Sequence, residues 1–231
     1  MEANLQQPIQ WPEPPTVGKN PIYLCPPPWA HEDRYNGQAI IPHVILGPYH
    51  LLRKREMVQQ AQISYVICIR DPSETSFYRG IPLPRVEYCF LDVPADVNKS
   101  NIIPHFNQVN ELLRQAIEQG RTTLLCCSDG IDKSASFMSA FLMSEYELTA
   151  PNAITFVQNR RYCATPSPQG YRIKLLEYEP ICSAQKCAGA MSPGETKSSR
   201  RWEEEDDVSG DFAPGARPIA AAVSVANKRA R

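Results

Sequence analysis

The sequence predicts an α/β domain: a single domain with irregular tails, built on a mostly parallel central sheet flanked by helices. Three observations lead there. Short apolar runs, ISYVICI at 63–69, RVEYCFLDV at 85–93 and TTLLCC at 122–127, have the length and composition of strands. Segments with helical periodicity alternate with them, and strands alternating with helices pair in parallel through crossovers. The 22 prolines are also uneven, eight of them falling in the first 30 of 231 residues. A usual proline share is about 5%, so the excess belongs to an arm. The predicted division is a Pro-rich irregular arm at 1–36, a folded domain at 37–187 and a disordered charged tail at 188–231. A domain of about 150 residues buries roughly two thirds of its surface and requires no disulfide or metal.

The elements follow in order. The arm holds WPEPP and CPPPW, where proline fixes φ and removes a donor, so extended backbone is expected. AIIPHVIL (39–46) alternates and carries Pro42, which reads as one or two short strands at a sheet edge. LLRKREMVQQA (51–61) has a helical stripe at 51, 52, 57, 58 and 61. ISYVICI reads as a buried strand, and RVEYCFLDV as another. The clearest helix is 101–120, with apolar residues at 102, 103, 106, 109, 112, 113, 116 and 117 and Gly120 as its stop. TTLLCC suits a central strand. Helices follow at 134–146, at 151–161 with Thr149 as cap and Pro151 in the first turn, and at about 168–180.

Charge and composition exclude several functions. Lys+Arg total 24 against 25 Asp+Glu, a net charge of −1, whereas a phosphate-backbone binder carries a basic excess, so nucleic acid is not an expected partner. No apolar run reaches 18 residues, so no membrane span is expected. The opening MEANLQQPIQWPEPP has neither a basic nor an apolar signal region. The eight cysteines form no CxxC pair and the four histidines no cluster, so neither a metal nor a cofactor is expected. Free buried thiols fit a reducing compartment, cytoplasmic or nuclear. KSSRR and NKRAR in the tail are weak nuclear-import candidates.

In parallel sheets ligands bind beyond the carboxyl ends of the strands, which directs attention to the turn after TTLLCC. It reads Cys126-Cys127-Ser128-Asp129-Gly130-Ile131-Asp132-Lys133-Ser134. A tight loop between a strand and a helix aims amide groups and the helix's positive end at one point, as a phosphate cradle does. A nucleotide-binding loop, G-x-x-x-x-G-K-[ST], fits only at Lys133-Ser134, because Cys127 and Asp132 replace both glycines. Against the cysteine-phosphatase loop, H-C-x-x-G-x-x-R-[ST], the residues Cys127, Gly130 and Ser134 fall in register. ILGPYHLL, ISYVICIR, LDVPADVNKSNI and FVQNRRYCATPSPQGYRIKLLEYE match in order and spacing as well. The chain thus resembles the dual-specificity protein phosphatases over about residues 37–187.

The resemblance implies that family's fold and assigns positions. Cys127 stands at the nucleophile, Ser134 at the hydroxyl that helps the thiolate leave, and Asp96 at the general acid, with Asp92 as the alternative. Ser128, Asp129, Gly130, Ile131, Asp132 and Lys133 form the phosphate-binding loop. Two positions depart: Lys133 replaces the arginine and Cys126 the histidine. A lysine supplies charge but no planar fork, and losing such a donor typically costs about 10²–10³ in rate. Asp129 and Asp132 leave the loop at −1 with Lys133. A carboxylate about 5 Å from a phosphate charge costs roughly 3 kcal/mol at an effective dielectric of 20. Both carboxylates are expected to raise the thiol pKa, and an aspartate to pair with Lys133. The expected function is therefore that of an inactive pseudophosphatase: an interaction module for phosphoproteins or MAP-kinase-type signalling proteins, or a competitor of active phosphatases. The alternatives are a weakly active dual-specificity phosphatase and a redox role for Cys126 and Cys127. Those two thiols are expected as one buried and one exposed. Arg160 and Arg161 suit a helix end, with a phosphopeptide as a second reading.

Overall fold

In a computed structural model the described residues are 10–17, 28–78, 81 and 83–190. They belong to one unit, Met1–Ser192, and Pro193–Arg231 lies outside them. The tail reading, with its basic clusters, therefore falls almost wholly outside the described residues.

A five-stranded mixed sheet runs in the order β1-β2-β5-β3-β4. Its strands are β1 (Gln38–Ile41), β2 (Val44–Pro48), β3 (Ile63–Arg70), β4 (Glu87–Asp92) and β5 (Thr122–Cys127). Only the β1–β2 hairpin is antiparallel. The predicted fold class therefore stands, and β5 is central as its apolar run required. The segment 39–46 is two strands, but only β1 is an edge, since β2 pairs with β5 through Val44–Pro48.

Alternate side chains divide the core between the two faces of the sheet. Ile67, Ile69 and Leu125 join one apolar cluster, and Val66, Cys68, Leu124 and Cys126 the other. On the first face lie α2 (Ile103–Glu118), α3 (Lys133–Tyr146), α4 (Ala150–Gln158) and α5 (Tyr171–Ala190). Helix α2 buries Phe106, Val109, Leu113 and Ala116, the predicted stripe, and ends before Gly120 at φ 66°. Helix α3 is buried over Ser134–Met143, which marks it as the central helix.

Three elements differ from expectation. The stripe at 51–61 is broken into a 3₁₀ turn, Tyr49–Arg53, and a short α1, Arg55–Gln60. The helix expected to stop near 180 runs through Pro180 to Ala190. Tyr178 and Cys182 bury on either side of that proline, and packing outweighs one lost backbone bond. Thr149 starts α4 in an extended conformation, but its side chain caps nothing. The Glu179 carboxylate accepts from the Ala150 amide instead (2.8 Å), a cap supplied from α5. In the arm, Trp11 lies against the His43 ring and Pro15 is buried, so the described residues 10–17 are partly packed. No helix among the described residues is long and apolar enough to cross a membrane.

Candidate functional site

Strand β5 ends at Cys127, and α3 begins at Lys133, so residues 128–132 turn at the carboxyl edge of the sheet. Gly130 makes the turn possible. Its φ is 70°, and a Cβ there would lie 2.4 Å from the Gly47 carbonyl carbon and 2.6 Å from the Pro48 nitrogen. The loop is therefore pressed onto the end of β2, where any side chain collides with backbone.

The loop is wound around the Cys127 sulfur. Sγ accepts from the Gly130 amide (3.2 Å), lies 3.3 Å from Ser134 Oγ and donates to Asp129 Oδ1 (3.4 Å). The structure thus brings Cys127, Gly130 and Ser134 together as the register required. The bond to Asp129 needs the thiol proton, and a thiolate would face that carboxylate directly. Burial and Asp129 push the thiol above its ordinary value, outweighing Ser134 and the Gly130 amide, which pull it down. Asp129 also accepts from the Ile131 amide (2.9 Å), occupying a donor that a bound anion would otherwise meet.

The other loop carboxylate behaves differently. Asp132 Oδ1 accepts from the Ser167 amide (2.8 Å), which anchors the turn before α5, and burial raises its pKa. Of the two aspartates, Asp129, which meets the thiol directly, raises it the more. Lys133 also departs from expectation. Its ammonium pairs with Glu74 Oε2 at 2.7 Å, not with a loop aspartate. Glu74 sits in a 3₁₀ turn, Pro72–Glu74, that follows β3, and the same Oε2 accepts from the Asp71 amide (2.9 Å). Ser73 holds Asp71 through its hydroxyl and amide, which lowers the Asp71 pKa.

Beneath the loop lies Arg161, fully buried. Its Nε donates to Gly130 O (2.8 Å) and its Nη2 to Asp129 O (3.4 Å). It also donates to the carbonyls of Arg34 (2.9 Å) and Asn36 (2.8 Å) and to Gln38 Oε1. The Arg34 and Asn36 carbonyls end a 3₁₀ turn, His31–Tyr35, where a cation is favoured. Arg161 therefore positions the loop from below and is closed to a phosphopeptide. Arg160 lies over the Phe156 ring (3.7 Å) and donates to Glu13 O (2.9 Å), which ties it to the arm.

The acid positions are both engaged. Asp96 accepts from the amides of Asn98 (3.1 Å) and Lys99 (3.3 Å) and pairs with the Lys99 ammonium (3.1 Å). The Lys99 side chain leads the contacts that hold its pKa down. It closes a solvated turn and does not cap α2, where Asn101 Oδ1 takes the Ile103 amide. Asn98 joins this turn to Gln169 O (2.9 Å). Asp92 is paired with Arg70 (2.6 Å), whose guanidinium also covers the Phe90 ring at 4.7 Å. Cys126 and Cys127 are both buried, so the expected exposed partner is absent, and burial raises both pKa values. Among the described residues no group of three His, Cys, Asp or Glu side chains is placed to hold a metal.

Residues 44–181, more than half of the chain, match the family model described as dual specificity phosphatase, catalytic domain. The serine/threonine/tyrosine-interacting protein of Mus musculus is 32% identical over 197 residues, covering 80% of this chain and 87% of that protein. The Homo sapiens protein of the same name is 32% identical over 192 residues, covering 78% and 85%. The crystal structure of the human tyrosine phosphatase-like serine/threonine/tyrosine-interacting protein superposes with a TM-score of 0.58 at 33% identity, over 63% of this chain and 96% of that one. Human DUSP28, at 21% identity and a TM-score of 0.56 over 69% and 99%, shares the fold. By its sequence and by its sheet, the chain belongs to the dual specificity phosphatase catalytic-domain family.

Proposed function

We propose that the chain is a catalytically inactive member of this family, working as an interaction module. It engages phosphoproteins or signalling kinases of the MAP-kinase type, or competes with active phosphatases, in the cytoplasm or nucleus. In this reading residues 37–187 are the working domain, 1–36 an arm and 188–231 a charged tail. The observation that carries it is the Lys133–Glu74 pair. The loop's one cation is already neutralised by a carboxylate. Asp129 meanwhile occupies the thiol proton and the Ile131 amide. The relatives named above as interacting proteins support the same reading. Cys127 then stands at the nucleophile position without a clamp, and Asp96 at the acid position lies in a solvated turn beside Lys99.

One observation favours a slow phosphatase as the second reading. Cys127 keeps both the Gly130 amide and the Ser134 hydroxyl, the contacts that would support a thiolate. Titration calorimetry of the full chain with phosphate and with vanadate separates the two. Inactivity predicts dissociation constants weaker than about 1 mM, less than about 4 kcal/mol of binding. Micromolar vanadate binding would overturn it.

A further inference from the structure

In a phosphate site the strand-to-helix loop is the electropositive face of the molecule. Here its sign is reversed. The loop 128–133 and the turn 71–78 together carry Asp71, Glu74, Asp129 and Asp132 against Lys133, a net −3. The Arg161 charge faces the underside of the loop and is spent on carbonyls. Asp71 is 7% exposed, and its Oδ2 is buried with no hydrogen-bond partner among the described residues.

An aromatic surface adjoins these carboxylates. The Phe77 amide donates to Glu74 O (2.9 Å), so ring and carboxylate share one turn, and Phe77 is 52% exposed. Phe77 meets Tyr78 edge-on at 5.1 Å, and Tyr78 in turn meets Tyr49 at 4.8 Å. Tyr78 and Tyr49 are buried in one apolar cluster with Cys126, the residue before the loop's Cys127, which joins the aromatic cluster to the loop. Beyond it a groove of about 490 Å³ runs past Leu83, Val86, Tyr88 and Phe90 to the edge strand β4. Phe90 is 37% exposed and stacks with Tyr88 (6.1 Å, 10° between planes). Within the molecule this surface already holds one guanidinium: Arg70, over the Phe90 ring and paired with Asp92. Aromatic faces beside carboxylates are how a protein takes up an arginine or lysine side chain.

We propose that this face is a docking surface for a basic segment of a partner protein, with an arginine or lysine at the Glu74–Asp129 carboxylates and apolar neighbours in the groove. Charge complementarity selects this occupant: a phosphorylated side chain would enter a field of its own sign. The proposal rests on the reading that the domain works by binding, and it names what a partner, phosphorylated or not, presents to the loop.

The test uses the full chain and three labelled dodecapeptides on one Leu- and Gly-containing frame, carrying central Arg-Arg, Glu-Glu or phosphotyrosine, followed by fluorescence anisotropy. The Arg-Arg peptide is expected to bind at least about tenfold more tightly than the other two, and to weaken as salt is raised. Amide resonance shifts are expected at 71–78 and 128–133. Glu74→Gln with Asp129→Asn should weaken Arg-Arg binding about tenfold. Phe77→Ser, a change of an exposed ring, should weaken it severalfold without disturbing the fold. Equal binding of all three peptides, no binding of the Arg-Arg peptide, shifts elsewhere, or indifference to both variants would overturn the proposal. So would a dimer of the chain that Phe77→Ser dissociates, since the occupant would then be a second copy. Turnover of p-nitrophenyl phosphate, measured on the same sample, bears on the inactive reading alone. A silent enzyme assay with no Arg-Arg binding removes only this proposal.

Discussion

On its buried side the loop 128–133 gives the carbonyls of Asp129 and Gly130 to Arg161, and Gly130 lies against β2 with no room for a Cβ. On its open side the same loop turns its groups on one another. Lys133 goes to Glu74, Asp129 to the Cys127 thiol, and the Ile131 amide to Asp129. The underside is anchored to its neighbours, and the mouth is paired with the protein's own carboxylates. Support and chemistry are therefore separable in this fold, because different residues from different elements serve them. Arg161 comes from the turn after α4, whereas Glu74 comes from the turn after β3.

That contrast can be broken from either side. The largest effect is expected beneath. Arg161→Ala removes a fully buried guanidinium from five acceptor oxygens and should cost about 3 kcal/mol or more, roughly 6–12 °C in Tm by thermal unfolding. From above, Lys133→Arg combined with Glu74→Gln and Asp129→Asn restores a fork and removes two carboxylates. Vanadate affinity and p-nitrophenyl phosphate turnover should rise by about 10–100-fold, with Tm nearly unchanged. No gain in either would mean that the underside no longer holds a catalytic frame. Asp129→Asn alone removes one cause that raises the Cys127 thiol. Its pKa should then fall toward the ordinary value, and alkylation between pH 7 and 9 should quicken severalfold. In the unaltered chain that labelling stays slow until the pH passes the ordinary thiol value. The smallest effect lies far from the loop: Glu179→Gln weakens the cap on α4 and should cost about 1 kcal/mol in denaturant unfolding.

The two sides of the loop also differed in how far they could be read from the chain. Cys127, Gly130 and Ser134 lie within eight residues, so their register was legible and the contacts follow it. The strand order was legible in outline, since apolar runs mark central strands. Glu74 was not, because it meets Lys133 across 59 residues and no local pattern marks it. Arg161 reaches the loop across 31 residues, and an arginine at a helix end carries no signal of burial. Asp132 resembled Asp129 on paper. Only the fold sends one to Ser167 and the other to the thiol.

The central claim is that the closed mouth abolishes chemistry while the support remains. Its most direct test is the turnover of p-nitrophenyl phosphate by the full chain beside Cys127→Ser. The two rates are expected to be indistinguishable and at background. A robust rate in the unaltered chain, lost in Cys127→Ser, would contradict it.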